Sequence, residues 1–188
     1  MSTTTGTTAI HEILATRYST RVFDADAPID DTALNNALEA ARWAPSAANS
    51  QPWHAIVARR GSDAFARIAA TLKGFNSTWA ADAGALVIFV AETERDGVAL
   101  PWAAYDTGQA AAHFTIQANA DGLATHQMGG FEAAALANEF DLPATMQPLT
   151  VVAIGAFGDV DAASDELQQR EATPRTRRPL ADAVLVYA

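Results

Sequence analysis

Five of the twelve basic residues lie in two short windows of a chain whose net charge is −10. The first window, "RYSTR", carries Arg17, Ser19 and Arg21; the second, "PRTRRPL", carries Arg175, Arg177 and Arg178. Arginine is a planar, permanently charged donor whose fork matches phosphate. If "RYSTR" is extended, its alternation puts Arg17, Ser19 and Arg21 on one side. If it is helical, Arg17 and Arg21 still share a face. Either window alone fits surface salt bridges with the surplus acids. Two of them in so acidic a chain point to one specific bound anion.

A third stretch, "APSAANSQPWH" at residues 44–54, is too polar for a core and too rich in uncharged hydrogen-bonding groups for an ordinary solvent loop. Elsewhere, familiar chemistry is missing. There is no G-x-G-x-x-G, no Walker A, no G-x-S-x-G and no H-E-x-x-H. The four histidines, His11, His54, His113 and His126, are scattered singly and read as ordinary imidazoles rather than a metal site. Asp82 and Asp106 could form a carboxylate pair, but capping or solvation explains each more simply. No metal is expected.

Composition narrows the function classes. The chain has 188 residues, 49% apolar and 18% charged, the mix of one globular domain spanning 1–188. Its acidity argues against a nucleic-acid partner, because no basic surface would neutralise phosphates. Cysteine is absent, which excludes disulfides and thiolate metal sites. The N-terminus "MSTTTGTTAI" lacks the basic start and apolar run of a signal peptide, and "GALVIFVA" is far too short to span a bilayer. The chain is read as cytoplasmic, with no membrane partner.

The elements that must position these residues follow from periodicity. Residues 1–8 form a disordered tail, and Ile10, Ile13 and Leu14 predict a helix over 8–16. Asp30 or Asp31 caps a helix that buries Leu34, Ala37, Leu38 and Ala41 and stops before Pro45. Residues 54–59 make a strand. Ser62 caps a helix with Phe65, Ile68, Ala69 and Leu72 inward, ended by Gly74. "ALVIFVAE" at 85–92 is a central buried strand. A long helix over 101–122 carries Gly108, Ala110, Ala111 and Ala112, small residues that let another backbone approach. Strands at 123–127 and 149–156 flank a helix near 132–140. The apolar end "ADAVLVYA", a C-terminal arm over 180–188, must dock on something. The order is that of an α+β fold.

Taken in order, "RYSTRVFD", "APSAANSQPWHAIVA", "FNS", "YDTGQAAAHFTIQANADGLATHQMGGF", "TVVAIG" and "PRTRRPL" resemble the nitroreductase family over residues 10–180. The resemblance implies a mixed central β-sheet wrapped by helices, in an intertwined homodimer with FMN shared at the interface. It implies an NAD(P)H-dependent flavin oxidoreductase that passes two electrons to a small-molecule acceptor (a nitroaromatic, quinone or activated alkene) by a ping-pong mechanism, the flavin carrying the chemistry. The same scaffold also serves dehalogenation and flavin fragmentation, and a storage protein would need the same binding residues.

By that resemblance, Arg17 and Ser19 hold the FMN phosphate and ribityl chain, with Tyr18 between them in the site. Arg21 sits near flavin N1 and the C2 carbonyl, where positive charge favours the reduced ring. Arg175 and Arg177 close on the phosphate from the C-terminal side. Pro45, Ser46 and Ala47 wall the isoalloxazine from the partner subunit, and Asn49 and Gln51 fix that loop or bond the flavin. Asn76 matches a flavin-contacting Asn. Gln127, Met128, Gly129 and Gly130 bind the flavin, the Gly129 N–H pointing at flavin N5. The chain departs from many relatives in three ways. Trp79 stands where they carry a second basic residue, Ala48 stands where some face substrate with a polar group, and an active-site lid insertion is lacking.

Overall fold

The structure, a computed structural model, describes residues 10–186, so the expected tail over 1–8 and the last two residues of the arm lie outside it. Helix α1 (Glu12–Thr16) begins later than its apolar spacing predicts. Helix α2 (Asp31–Arg42) is capped by Asp30, whose carboxylate accepts from the N–H groups of Thr32 and Ala33 at 2.8 and 3.1 Å. It buries Ala33, Leu34, Ala37 and Ala41 and ends three residues before Pro45.

Strand β1 (Trp53–Arg59) is followed by α3 (Asp63–Ala70), capped by the Ser62 hydroxyl, then a single-turn helix α4 (Asn76–Trp79). Strand β2 (Ala85–Glu92) is buried through its first seven residues. A hairpin of β3 (Glu94–Arg95) and β4 (Val98–Ala99) turns at Asp96 and Gly97, both with positive φ, the Asp-Gly pair that such turns favour. Helix α5 (Ala103–Ala120) stops at Gly122, where φ is +84°. Then come β5 (Ala124–Met128), α6 (Ala133–Glu139), β6 (Met146–Gly155), α7 (Asp165–Glu171) and α8 (Leu180–Ala183).

The main sheet has the order β1-β2-β6-β5, with every ladder antiparallel. A parallel bridge between Ser19 and Thr125 extends it and gives it the expected mixed character. Strand β6 starts earlier than its apolar run suggests, running through Pro148 opposite Val90. The register shifts between Phe89 and Val90, an irregularity of the kind that admits a residue with no N–H to donate.

Both faces of the sheet are covered, which explains the unbroken apolar run of β2. Leu86, Ile88 and Val90 point with Val151 and Ala153 into a core that includes Phe65 and Ile68 of α3 and Leu136 of α6. Ala85, Val87 and Phe89 point with Val152 and Ile154 toward α2 and α5. The small residues of α5 divide between two faces. Ala110 and Ala111 are buried against the sheet side with Phe114, while Gly108 and Ala112 are exposed beside Tyr105. At the C-terminal end Leu180, Leu185 and Val186 are exposed, undocked within one chain. Among the described residues no helix is long and apolar enough to cross a membrane.

Candidate flavin site

Beyond α1 the chain runs extended, which sets Arg17, Ser19 and Arg21 toward one cavity and Thr20 and Val22 into the core; Tyr18 also lines the cavity. The opposite wall comes from α7 and the turn after it, including Glu171, Thr173, Arg175 and Arg177; the cavity is about 1020 Å³. Glu171 joins the walls. One carboxylate oxygen accepts from the Arg21 N–H at 2.8 Å and the other from the Thr20 hydroxyl at 3.0 Å. The Arg175 guanidinium donates to the carbonyls of Ala15 and Arg17, which the last turn of α1 leaves without helical partners.

Positive charge converges here. Burial lowers the Arg17 pKa below its usual value, and the charges of Arg175 and Arg177 lower it further. Among the described residues no carboxylate pairs with Arg17, Arg21, Arg175 or Arg177. Like charges held together without a carboxylate partner make a candidate anion site, but the Arg175 fork, expected on the phosphate, is turned to the carbonyls that end α1 and adds its charge from there. Burial, and then the Glu171 charge, raises the Tyr18 pKa.

The polar loop is built differently. Around a 3-10 turn at Ala47–Asn49, three non-glycine residues hold left-handed backbone: Ala48 (φ 51°), Asn49 (φ 56°) and Gln51 (φ 47°). Each such residue costs roughly 1–3 kcal/mol and persists only where its surroundings over-determine it. Here they do. The buried Asp106 carboxylate accepts from the Ala47 N–H at 3.0 Å, and the Ser46 hydroxyl accepts from the Gln51 N–H at 3.1 Å. Arg95 donates to the Ser50 carbonyl at 2.9 Å, and the Gln51 amide to the Asn49 carbonyl at 3.2 Å. Asp106 is thus a loop anchor, not half of a carboxylate pair. Pro45, Ala47, Asn49 and Gln51 are exposed, and none of the loop residues lines the arginine cavity.

A third region is the end of β5. Its Thr125 bridges to Ser19, and four residues of extended chain, about 13 Å, separate that bridge from Gly129. Gly129 faces open space. The Gly130 carbonyl accepts from the Asn76 amide at 3.1 Å and the Lys73 N–H at 2.9 Å, and a Cβ at position 130 would lie 2.8 Å from the Asn76 nitrogen. Asn76 therefore ties the glycine turn to α4. The Gln127 side chain is committed to α5, donating to Ala111 and Thr115, and Met128 is in the core. For both residues the backbone, not the side chain, is what borders the glycines.

Trp79 takes no place in the site. It is fully buried, stacked on Phe23 with centroids 6.0 Å apart and tilted against His126 at 4.6 Å, with no acceptor for its indole N–H among the described residues. His126 is fixed by the Thr20 carbonyl, 2.8 Å from Nδ1. Glu171 is the contribution that sequence reasoning missed; for Asp106, read as a capping or solvated carboxylate, the structure adds the partner it holds. Asp106 in the first turn of α5 had a local signal; Glu171, at the end of a polar helix, had none.

The donor set fits a flavin mononucleotide: guanidiniums for a phosphate, an open glycine turn for a flat ring, and an exposed polar wall. The nitroreductase family model matches residues 14–77 and 62–156. A 15.4 kDa protein from the ask 5′ region of Mycolicibacterium smegmatis is 36% identical over 66% of this chain and 89% of its own length. The oxygen-insensitive NAD(P)H nitroreductase of Salmonella typhimurium is 37% identical over 82 residues, 43% of this chain and 38% of that protein. A crystal structure described as an oxidoreductase containing FMN is 29% identical and superposes with a TM-score of 0.89 over 98% of this chain and 96% of its own. Motif order, fold and sequence kinship agree, and the chain belongs to the nitroreductase family.

Proposed function

We propose that the protein is an FMN-dependent oxidoreductase that takes two electrons from NAD(P)H and passes them to an organic acceptor such as a nitroaromatic, a quinone or an activated alkene. The observation that carries this reading is the convergence of Arg17, Arg175 and Arg177 with no carboxylate partner among the described residues. Relatives named as an NAD(P)H nitroreductase and as an FMN-containing oxidoreductase support it.

FMN, bound by its phosphate among these arginines, supplies the two-electron chemistry, and the chain supplies position and charge. Ser19 and Tyr18 line the ribityl path, and Arg21 offers a cation to the polar edge of the ring. Gly129 lets the backbone come close to the ring, with Gly130 held behind it by Asn76. Pro45, Ser46 and Ala47 wall the ring from a second subunit, and Asn49 and Gln51 keep that wall in shape. The homodimer forms through the exposed face of α5, with Tyr105, Gly108 and Ala112, and through the apolar C-terminal arm. Donor and acceptor use one open face in turn, which gives ping-pong kinetics, because the sequence carries no second nucleotide-binding fingerprint.

A spectrum of the purified protein tests the reading. It should be yellow, release FMN rather than FAD on heating, bleach with NAD(P)H and recover its colour with an acceptor. A protein that takes up no flavin defeats the proposal. One that binds FMN but never bleaches is a storage protein.

A further inference from the structure

We propose that Glu171 is the positioning residue of the phosphate end of the site, a role that rests on the FMN reading for the identity of the anion. Its carboxylate clamps the segment carrying Arg17, Ser19 and Arg21 to the segment carrying Arg175 and Arg177. The cavity is lined by five arginines and one carboxylate, that of Glu171. A negative charge there opposes an anion, so charge alone gives no reason for it. Its bonding does. Neither oxygen is spent on a guanidinium; both accept from neutral donors, the Arg21 N–H at 2.8 Å and the Thr20 hydroxyl at 3.0 Å.

The clamp reaches into the core. Thr20 is buried, and its hydroxyl also accepts from the Val22 N–H at 3.0 Å. On the other side Glu171 is the last residue of α7, and four residues later Arg175 closes on the carbonyls that end α1. Helix α7 has no fully buried residue of its own; Leu167 packs on the edge of the core and Arg170 lies over the Phe75 ring, and Glu171 fastens its C-terminal end, where the arm begins.

Two variants separate geometry from charge. In Glu171→Gln the amide carbonyl can accept from the Arg21 N–H while the amide nitrogen donates to the Thr20 oxygen. The Thr20 hydrogen then turns to the Val22 carbonyl, 3.3 Å away. Geometry survives and the charge is gone. In Glu171→Ala both are lost. Fluorescence titration of the apo protein should show FMN affinity falling at least about tenfold in Glu171→Ala, with riboflavin affinity changing by less than about threefold. Glu171→Gln should bind FMN as well as the parent or better.

Hydrogen exchange at the Arg21 amide reads the clamp without any flavin, in variants confirmed as folded by circular dichroism. It should be fast in Glu171→Ala and slow in Glu171→Gln. Slow exchange in Glu171→Ala, an unchanged FMN-to-riboflavin ratio in that variant, or an equal loss of FMN in both variants overturns the clamp. If the parent protein binds neither flavin, the FMN reading falls, and the exchange measurement still decides the clamp.

Discussion

The walls of the arginine cavity come from residues 150 positions apart, Arg21 and Glu171, whereas the loop over residues 45–51 is closed by bonds such as that from Gln51 to Ser46, five positions away. The first region gathers like charges, which on the proposed reading a phosphate relieves. The second stores backbone strain and is held by the buried Asp106 carboxylate. On that reading one part of the site depends on its ligand in its energetics, while the other is held by the chain's own bonds. A flat ring needs a fixed wall; a phosphate can supply part of the free energy that draws its own cage together.

The largest test of this contrast removes a cage member. Arg17→Ala should weaken FMN roughly ten- to a hundredfold, since a hydrogen bond to a charged group is worth about 1.5–3 kcal/mol, while riboflavin binding changes little. Titration with both flavins checks it, and equal losses would place Arg17 away from a phosphate.

Removing the loop anchor should act on stability instead. Asp106→Ala leaves the Ala47 N–H without its acceptor beside three left-handed residues, a cost of about 1–3 kcal/mol read by urea denaturation. The FMN-to-riboflavin ratio should stay as in the parent; a shift in that ratio would show that the two regions are one unit.

A smaller effect sharpens the claim of strain. Glycine tolerates left-handed backbone, so Ala48→Gly should leave stability unchanged or raise it by up to about 1 kcal/mol. The same exchange at Ala110, inside α5, should cost about 1 kcal/mol. Similar losses at both sites would mean that position 48 is not strained.

The smallest effect is on the cavity side and depends on pH. Burial lowers the His126 pKa, and the charge of Arg21 adds to that, against an opposing hydrogen bond to the Thr20 carbonyl. The folded chain therefore holds this imidazole neutral more strongly than the unfolded chain does. Its contribution is fully present above the unfolded value of about 6.5 and is lost as pH falls from there through the folded pKa. Denaturation of the parent and of His126→Asn between pH 7.5 and pH 5, a window of about one to two units around that value, should show the parent losing more stability as pH drops. Parallel curves would remove His126 as the titrating group.

Much of the fold was legible. Asp30 and Ser62 cap the helices they were expected to cap, because capping is satisfied within three residues. The unbroken run of β2 marked a strand covered on both faces, as the two cores show. The hairpin at Asp96 and Gly97 went unread although the Asp-Gly pair was a signal for it. Helix α7 had only its Ser164 cap to announce it, since it buries no residue fully and has no apolar stripe to show a period.

The site divides along the same line. The sequence by itself determined which residue types were present, that two arginine windows existed, and that the loop over 45–51 was polar and bent. Only the tertiary structure decided that Arg175 caps the carbonyls ending α1, that Glu171 binds Arg21 and Thr20, that Asp106 holds Ala47, and that Trp79 belongs to the core. The reason is physical. Periodicity and capping record which face of a segment is buried and where it ends, because those free energies are local. A contact across 150 residues depends on the path of every element between, and nothing local in either partner encodes it.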